Sequence, residues 1–157
     1  NIGRIKKIIA RMCEKFGEPF ESGGKIYYSF PKAETLACAS EIDIFSCGTG
    51  FRAKYISDAA KKVASGEINL ENISSLDDEN ARAELMKICG VGPKVANCAL
   101  LFGFHRLSSF PIDVWIKRVL DKYYKNGIDL GDLGDYAGVA QQYLFYYERY
   151  KNGEEIK

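Results

Sequence analysis

Residues 89–94 read Cys-Gly-Val-Gly-Pro-Lys, and no other stretch restricts the fold of this chain so tightly. Two glycines in three positions interrupt a helix. Pro93 suits the first position of a new one, where its missing N–H costs nothing. Upstream, Ser75-Leu-Asp-Asp78 has the form of a capping box and predicts a helix running through Ile88. Downstream, a nearly all-apolar segment extends to about Phe104, and a helix without a polar face is expected to be buried. The pattern is a helix, a glycine hairpin and a second helix over about residues 77–104. Such a turn exposes backbone N–H groups at a positive helix end, which together suit a phosphate. Gly90, Gly92 and Val95 are the candidate contacts, the glycines permitting close approach of a nucleic-acid backbone. An ordinary corner between two helices would use the same glycines, so the turn alone leaves both readings open.

The rest of the chain carries helical periodicity. Ile2, Ile5, Ile9, Met12 and Phe16 recur at spacings of three and four, predicting an amphipathic helix over 2–16, with Asn1 as N-cap and Gly17 as stop. Residues 18–30 read as a loop with a short extended piece, and Pro31 opens a short helix through Ala39. A Gly48-Thr-Gly50 turn precedes a helix from about Phe51 to Ser65, stopped by Gly66. A short helix follows near Asn69–Ile73. Asp113 is placed to cap a helix reaching about Lys125; 129–135 is a Gly/Asp-rich loop, and a last helix spans about Tyr136–Tyr150. The expected class is all-α, in one helical region over 1–157.

Composition narrows the function classes. The five cysteines are scattered singly with no CxxC pair, which disfavours a disulfide framework or a zinc site and fits a reducing, intracellular compartment. No cofactor is indicated. The longest apolar run, Cys98 to Phe104, is too short to span a membrane. The single His105 reads as a loop or helix-end residue. Net charge is +1, but residues 1–17 hold Arg4, Lys6, Lys7, Arg11 and Lys15 against Glu14 alone. That footprint fits DNA, and equally a solvated helix face.

Two residues point to chemistry. Lys94 stands in the first turn of the apolar helix, where the positive dipole end and partial desolvation disfavour the charged ammonium. A neutral amine is a nucleophile suited to Schiff-base formation. Taken alone, Lys94 is more simply a surface lysine or a phosphate contact. Asp113, after Phe110-Pro-Ile, is by itself an N-cap. A carboxylate near an amine can also stabilise a sugar cation as its base departs, and the pair is more specific than either residue.

These segments resemble the signature of the helix-hairpin-helix DNA glycosylases, and within them the eukaryotic-type 8-oxoguanine DNA glycosylase/lyases. Three further segments are similar to that branch: Asn1-Ile-Gly-Arg4-Ile, Gly48-Thr-Gly-Phe-Arg52-Ala-Lys-Tyr-Ile, and Ala137-Gly-Val-Ala-Gln141-Gln-Tyr-Leu-Phe145. The resemblance implies that Lys94 attacks the deoxyribose C1′ and that Asp113 stabilises the developing charge. It implies that Cys98 and Phe145 sandwich the flipped base, while Gln141 reads its Watson–Crick edge. Phe51 would wedge into the vacated stack; Arg4 and Arg52 would hold the estranged cytosine. Backbone carbonyls of Met86, Ile88 and Val91 would hold a monovalent cation. The implied partner is duplex DNA containing 8-oxoguanine, met by a monomer in a DNA-associated compartment, with no membrane involved.

The chain departs from the pattern at Phe51, where many members have tyrosine, at Trp115, where many eukaryotic members have histidine, and at Glu148, where aspartate is common. It also lacks the family's β-rich amino-terminal domain, and so reads as the carboxy-terminal part of a longer enzyme. Two alternatives stay open: a glycosylase of the same superfamily for another damaged base, and a non-catalytic helix-hairpin-helix module. The latter needs neither Lys94 nor Asp113. No cysteine follows Cys98, which excludes a carboxy-terminal four-cysteine iron–sulfur loop from this sequence.

Overall fold

A computed structural model of the chain describes residues 2–151, so Asn1, expected as an N-cap, lies outside the described residues. The described residues are mostly helical, as expected, with one small antiparallel hairpin. The chain forms two compact units, Asn1–Ile73 with Lys87–Gly90, and Ser74–Met86 with Val91–Lys157.

In the first unit, α1 (Ile2–Phe16) buries Met12, with Ile8 and Phe16 packed beside it against Leu36, Cys47 and Ala60. The buried stripe is therefore Ile8–Met12–Phe16, and Ile5 and Ile9 stay exposed, which the apolar spacing alone could not decide. Gly17 ends α1 without the left-handed backbone expected of a C-terminal glycine. It is needed for space, because a Cβ there would overlap the carbonyl oxygen of Ser29. The segment 18–30, read as a loop with a short extended piece, holds a hairpin of β1 (Pro19–Ser22) and β2 (Lys25–Tyr28). Gly23 and Gly24 both have positive φ, 58° and 72°, as a two-residue hairpin turn requires. All eight strand residues are exposed, so no alternation of burial marked them in the sequence.

Helix α2 (Ala33–Cys38) starts two residues after Pro31, because Lys32 is extended and occupies the N-cap. Helix α3 (Glu41–Ile44) was not foreseen; the Ser40 Oγ caps it by accepting from the Asp43 N–H at 3.1 Å, a Ser-x-x-Asp signal that the sequence contains. An irregular turn over 45–52, with Gly48 and Gly50 at φ 91° and 60°, leads into α4 (Ala53–Ala64), two residues later than expected. Gly66, at φ 78°, stops it. Helix α5 (Leu70–Ser75) follows, with the Asn69 side chain accepting from the Asn72 N–H.

In the second unit, α6 (Asp78–Met86) is capped by Asp77, whose Oδ1 accepts from the Asn80 N–H at 2.9 Å. The expected Ser75 capping box does not form, because α5 already contains Ser75, and α6 stops two residues before Ile88. Helix α7 (Pro93–Gly103) buries only Ala96, Leu100 and Leu101. Val95 and Phe102 are exposed, so the expectation of full burial is corrected to a single stripe. Helix α8 (Val114–Tyr123) ends before Lys125. Within the loop expected over 129–135 lies a one-turn helix, α9 (Leu130–Leu133), capped by Asp129. Helix α10 (Ala137–Lys151) packs on α8 around Phe110, Ile116 and Ala137. It approaches closely because position 138 is glycine: a Cβ there would come within 2.5 Å of Leu101 Cδ1 and overlap the Ser109 carbonyl oxygen.

Candidate active site

The second unit contains a cavity of about 220 Å³ lined by Lys94, Cys98, Phe102, Pro111, Asp113, Gln141, Gln142 and Phe145. Three elements build it. Helix α7 contributes Lys94, Cys98 and Phe102, successive fourth residues and so one face of the helix. The start of α8 contributes Asp113, and α10 contributes Gln141 and Phe145 by the same spacing.

Asp113 is held by its own helix. Its Oδ1 accepts from the N–H groups of Trp115 and Ile116, each at 2.9 Å, so the cap directs the carboxylate while Oδ2 takes no part in it. Lys94 is exposed at the cavity rim, in the first turn of α7, whose N-cap is Gly92 with no side-chain cap. Gln141 is almost fully buried. Its Nε2 donates to the Pro111 carbonyl at 2.9 Å, and its Oε1 accepts from Gln142. A glutamine amide has two donors and an oxygen with two lone pairs, so one donor and one lone pair stay available. Cys98 and Phe145 are half-buried on the cavity wall.

The sequence reading did not single out Phe102, Pro111 or Gln142. Phe102 was detectable, lying on the Lys94–Cys98 face one turn further on. Pro111 was visible as part of Phe-Pro-Ile-Asp113, though not as the acceptor that fixes Gln141.

The remaining candidates lie elsewhere. In the first unit, Arg4 and Arg52 line a larger cavity of about 440 Å³ with Ile5, Ile9, Thr49 and Ile56. Phe51 is exposed and lies outside that cavity, with the Arg52 guanidinium 4.5 Å from its ring centroid. Gly90 has φ 79°, Gly92 is extended, and Val95 is exposed on the first turn of α7. Met86 closes α6, and Ile88 and Val91 fall in the loop that follows.

One face of α4 fixes residues 87–90. The Tyr55 ring lies against Gly90, an Asp58 carboxylate oxygen accepts from the Cys89 N–H at 2.7 Å, and Lys62 Nζ donates to the Lys87 carbonyl at 2.6 Å. The Cys89 bond, aided by Lys62, holds the Asp58 carboxyl below the usual carboxylate range. These three residues recur at helical spacing, but nothing in the sequence marks a loop as their partner.

Residues 1–128 match the model of the HhH-GPD superfamily base excision DNA repair proteins, and the chain belongs to that family. A Methanothermobacter thermautotrophicus protein named probable N-glycosylase/DNA lyase is 38% identical to it, over 95% of this chain and 56% of that one. Two solved structures are similar. MBOgg1 in complex with a low affinity DNA ligand has a TM-score of 0.90 and 46% identity, covering 97% of this chain and 56% of that one. Clostridium acetobutylicum 8-oxoguanine glycosylase/lyase, bound to double-stranded DNA with cytosine opposite 8-oxoG, has a TM-score of 0.88 and 42% identity, with the same coverage. The chain thus spans a little over half the length of these relatives. Among the described residues, no helix is long and apolar enough to cross a membrane.

Proposed function

We propose that this chain carries the chemical centre of an 8-oxoguanine DNA glycosylase with associated lyase activity. The observation that supports it best is one cavity holding a lysine and a carboxylate together with a glutamine, a cysteine and an aromatic ring. A module that only binds phosphates has no use for that set.

In this reading the damaged nucleotide leaves the stack and its base enters the cavity. Phe145 and Cys98 cover the base faces, and the free donor and lone pair of Gln141 meet its edge. Lys94 Nζ, as the neutral amine, attacks C1′. The glycosidic bond breaks with its electron pair passing to the base, which takes up a proton. Asp113 stabilises positive charge on the sugar as the bond lengthens. The lysine nitrogen loses a proton, the ring opens to the imine, and removal of a C2′ proton expels the 3′ phosphate. Backbone N–H groups around Gly90, Gly92 and Val95 would hold a DNA phosphate at the start of α7. Arg4 and Arg52 would bind the estranged base through directed donors, with Phe51 as the wedge. Met86 closes α6 and its carbonyl lacks an intrahelical donor; with the loop carbonyls of Ile88 and Val91 it would hold a monovalent cation beside the phosphate site. The working form is a monomer on duplex DNA inside the cell.

Borohydride trapping on a duplex with 8-oxoguanine opposite cytosine tests the reading. The full-length protein is expected to give a covalent adduct that Lys94→Gln abolishes. A folded, DNA-binding full-length protein that yields no adduct would leave a monofunctional glycosylase or a binding module.

A further inference from the structure

Helix α10 continues the stripe of Gln141 and Phe145 by one more turn, to Arg149. The Arg149 guanidinium carbon lies 5.3 Å from the Phe145 ring centroid and 5.9 Å from that of Trp115. Trp115 stands two residues after Asp113, and its backbone N–H is one of the two that Asp113 accepts. Its ring also lies 4.7 Å from the Arg118 guanidinium carbon. Arg149 therefore touches the aromatic wall of the cavity on one side and the first turn of α8 on the other. A guanidinium over a ring face is attracted by the ring quadrupole, and its planar shape stacks where an ammonium cannot.

We infer that Arg149 is a positioning residue for base capture: bridging Trp115 and Phe145, it fixes the Phe145 ring as the stacking wall. This rests on the function proposed above. The physical reason is entropic. A phenylalanine on an open cavity wall must lose side-chain freedom when a base stacks on it. A ring already clamped by a cation has lost that freedom, so more of the stacking energy goes into capture. Arg149 is not itself a cavity-lining residue and has no role in the bond-breaking step.

The test compares wild type, Arg149→Leu and Arg149→Lys in the full-length protein. Single-turnover excision on an 8-oxoguanine:cytosine duplex gives a half-saturation concentration and a maximal rate. Binding to the same duplex with a tetrahydrofuran abasic analogue, which has no base to stack, is measured alongside. Arg149→Leu is expected to raise half-saturation about fivefold, the size of one cation–π contact, and to lower the maximal rate by less. Binding of the abasic duplex should stay within about twofold of wild type, and Arg149→Lys should recover part of the loss, since an ammonium keeps the cation–π attraction but not the stacking. An equal loss on both duplexes would make Arg149 a structural or phosphate-binding residue and overturn the inference; so would unchanged half-saturation in folded variants. If Arg149→Leu fails to fold, Arg149→Lys decides: a raised half-saturation with abasic binding intact supports the bridge, and wild-type behaviour overturns it. Wild-type protein that excises no 8-oxoguanine is a separate failure, of the proposed function, and takes the inference with it.

Discussion

The ring of Tyr55 occupies the space that any side chain at position 90 would need. A Cβ built on Gly90 would lie 2.6 Å from two of its ring carbons, and the backbone there has φ 79°. Gly90→Ala therefore meets two penalties, a left-handed backbone and a steric overlap. Together these are expected to cost about 2–4 kcal/mol, read as a lowered thermal midpoint. Combining Gly90→Ala with Tyr55→Ala should recover the steric part but not the backbone part, so the two changes will not add. An unchanged midpoint for Gly90→Ala alone would contradict this packing.

Asp113 is both a cap and a member of the cavity, and substitution separates the roles. Asparagine caps helices about as well as aspartate, so Asp113→Asn should change stability by less than about 0.5 kcal/mol. It removes the charge, however, and excision should fall by about a hundredfold or more. Asp113→Ala should lose the chemistry and a further ~1 kcal/mol of stability. Denaturant melts beside single-turnover excision check both halves, and full activity in Asp113→Asn would make the residue a cap only.

The loop after α7 is tied to the start of α6. Arg106 donates to Asp78 Oδ1 at 2.7 Å, and Ser108 Oγ donates to Oδ2 at 2.7 Å. The Arg106 bond first, then that from Ser108, hold the Asp78 carboxyl below its ordinary value. A depressed carboxylate contributes stability above its unfolded-state value of about 3.9, lost as pH falls through the folded value, so the window lies below about pH 4. Asp78 is half-exposed, and screening keeps the effect under about 1 kcal/mol. Asp78→Asn should flatten the acid limb of the stability profile and leave its slope near neutrality unchanged. An identical acid limb in the variant would show the pair to be worth nothing.

Gly138 lets α10 approach the segment 107–109, and its N–H donates to the Leu107 carbonyl at 2.7 Å. Gly138→Ala must displace backbone, and is expected to destabilise by about 1–3 kcal/mol. The displaced helix carries Gln141 and Phe145, so excision should fall further than the lost stability explains. Activity measured well below the melting range separates the two effects, and proportional losses would tell against it.

Much of this molecule is legible along the chain. The breaks at Gly17, Gly66 and Gly90, the Pro93 start of α7 and the Asp113 cap are local physics: missing Cβ atoms, a missing N–H, a carboxylate beside open donors. Helical spacing likewise puts Lys94 on the face of Cys98, and Gln141 on that of Phe145. What periodicity could not supply is which faces meet, because an apolar stripe does not name its partner. Thus Ile8 rather than Ile5 enters the core, the nearly all-apolar α7 leaves Phe102 exposed, and the exposed hairpin at 19–28 showed only as a short extended piece, without the alternation that would pair its strands. Tertiary packing alone set Tyr55, Asp58 and Lys62 against the loop 87–90, bound Gln141 to Pro111, and brought Arg149 onto Trp115. These contacts join residues about 30 positions apart. Only the closing of the chain on itself brings such residues within reach.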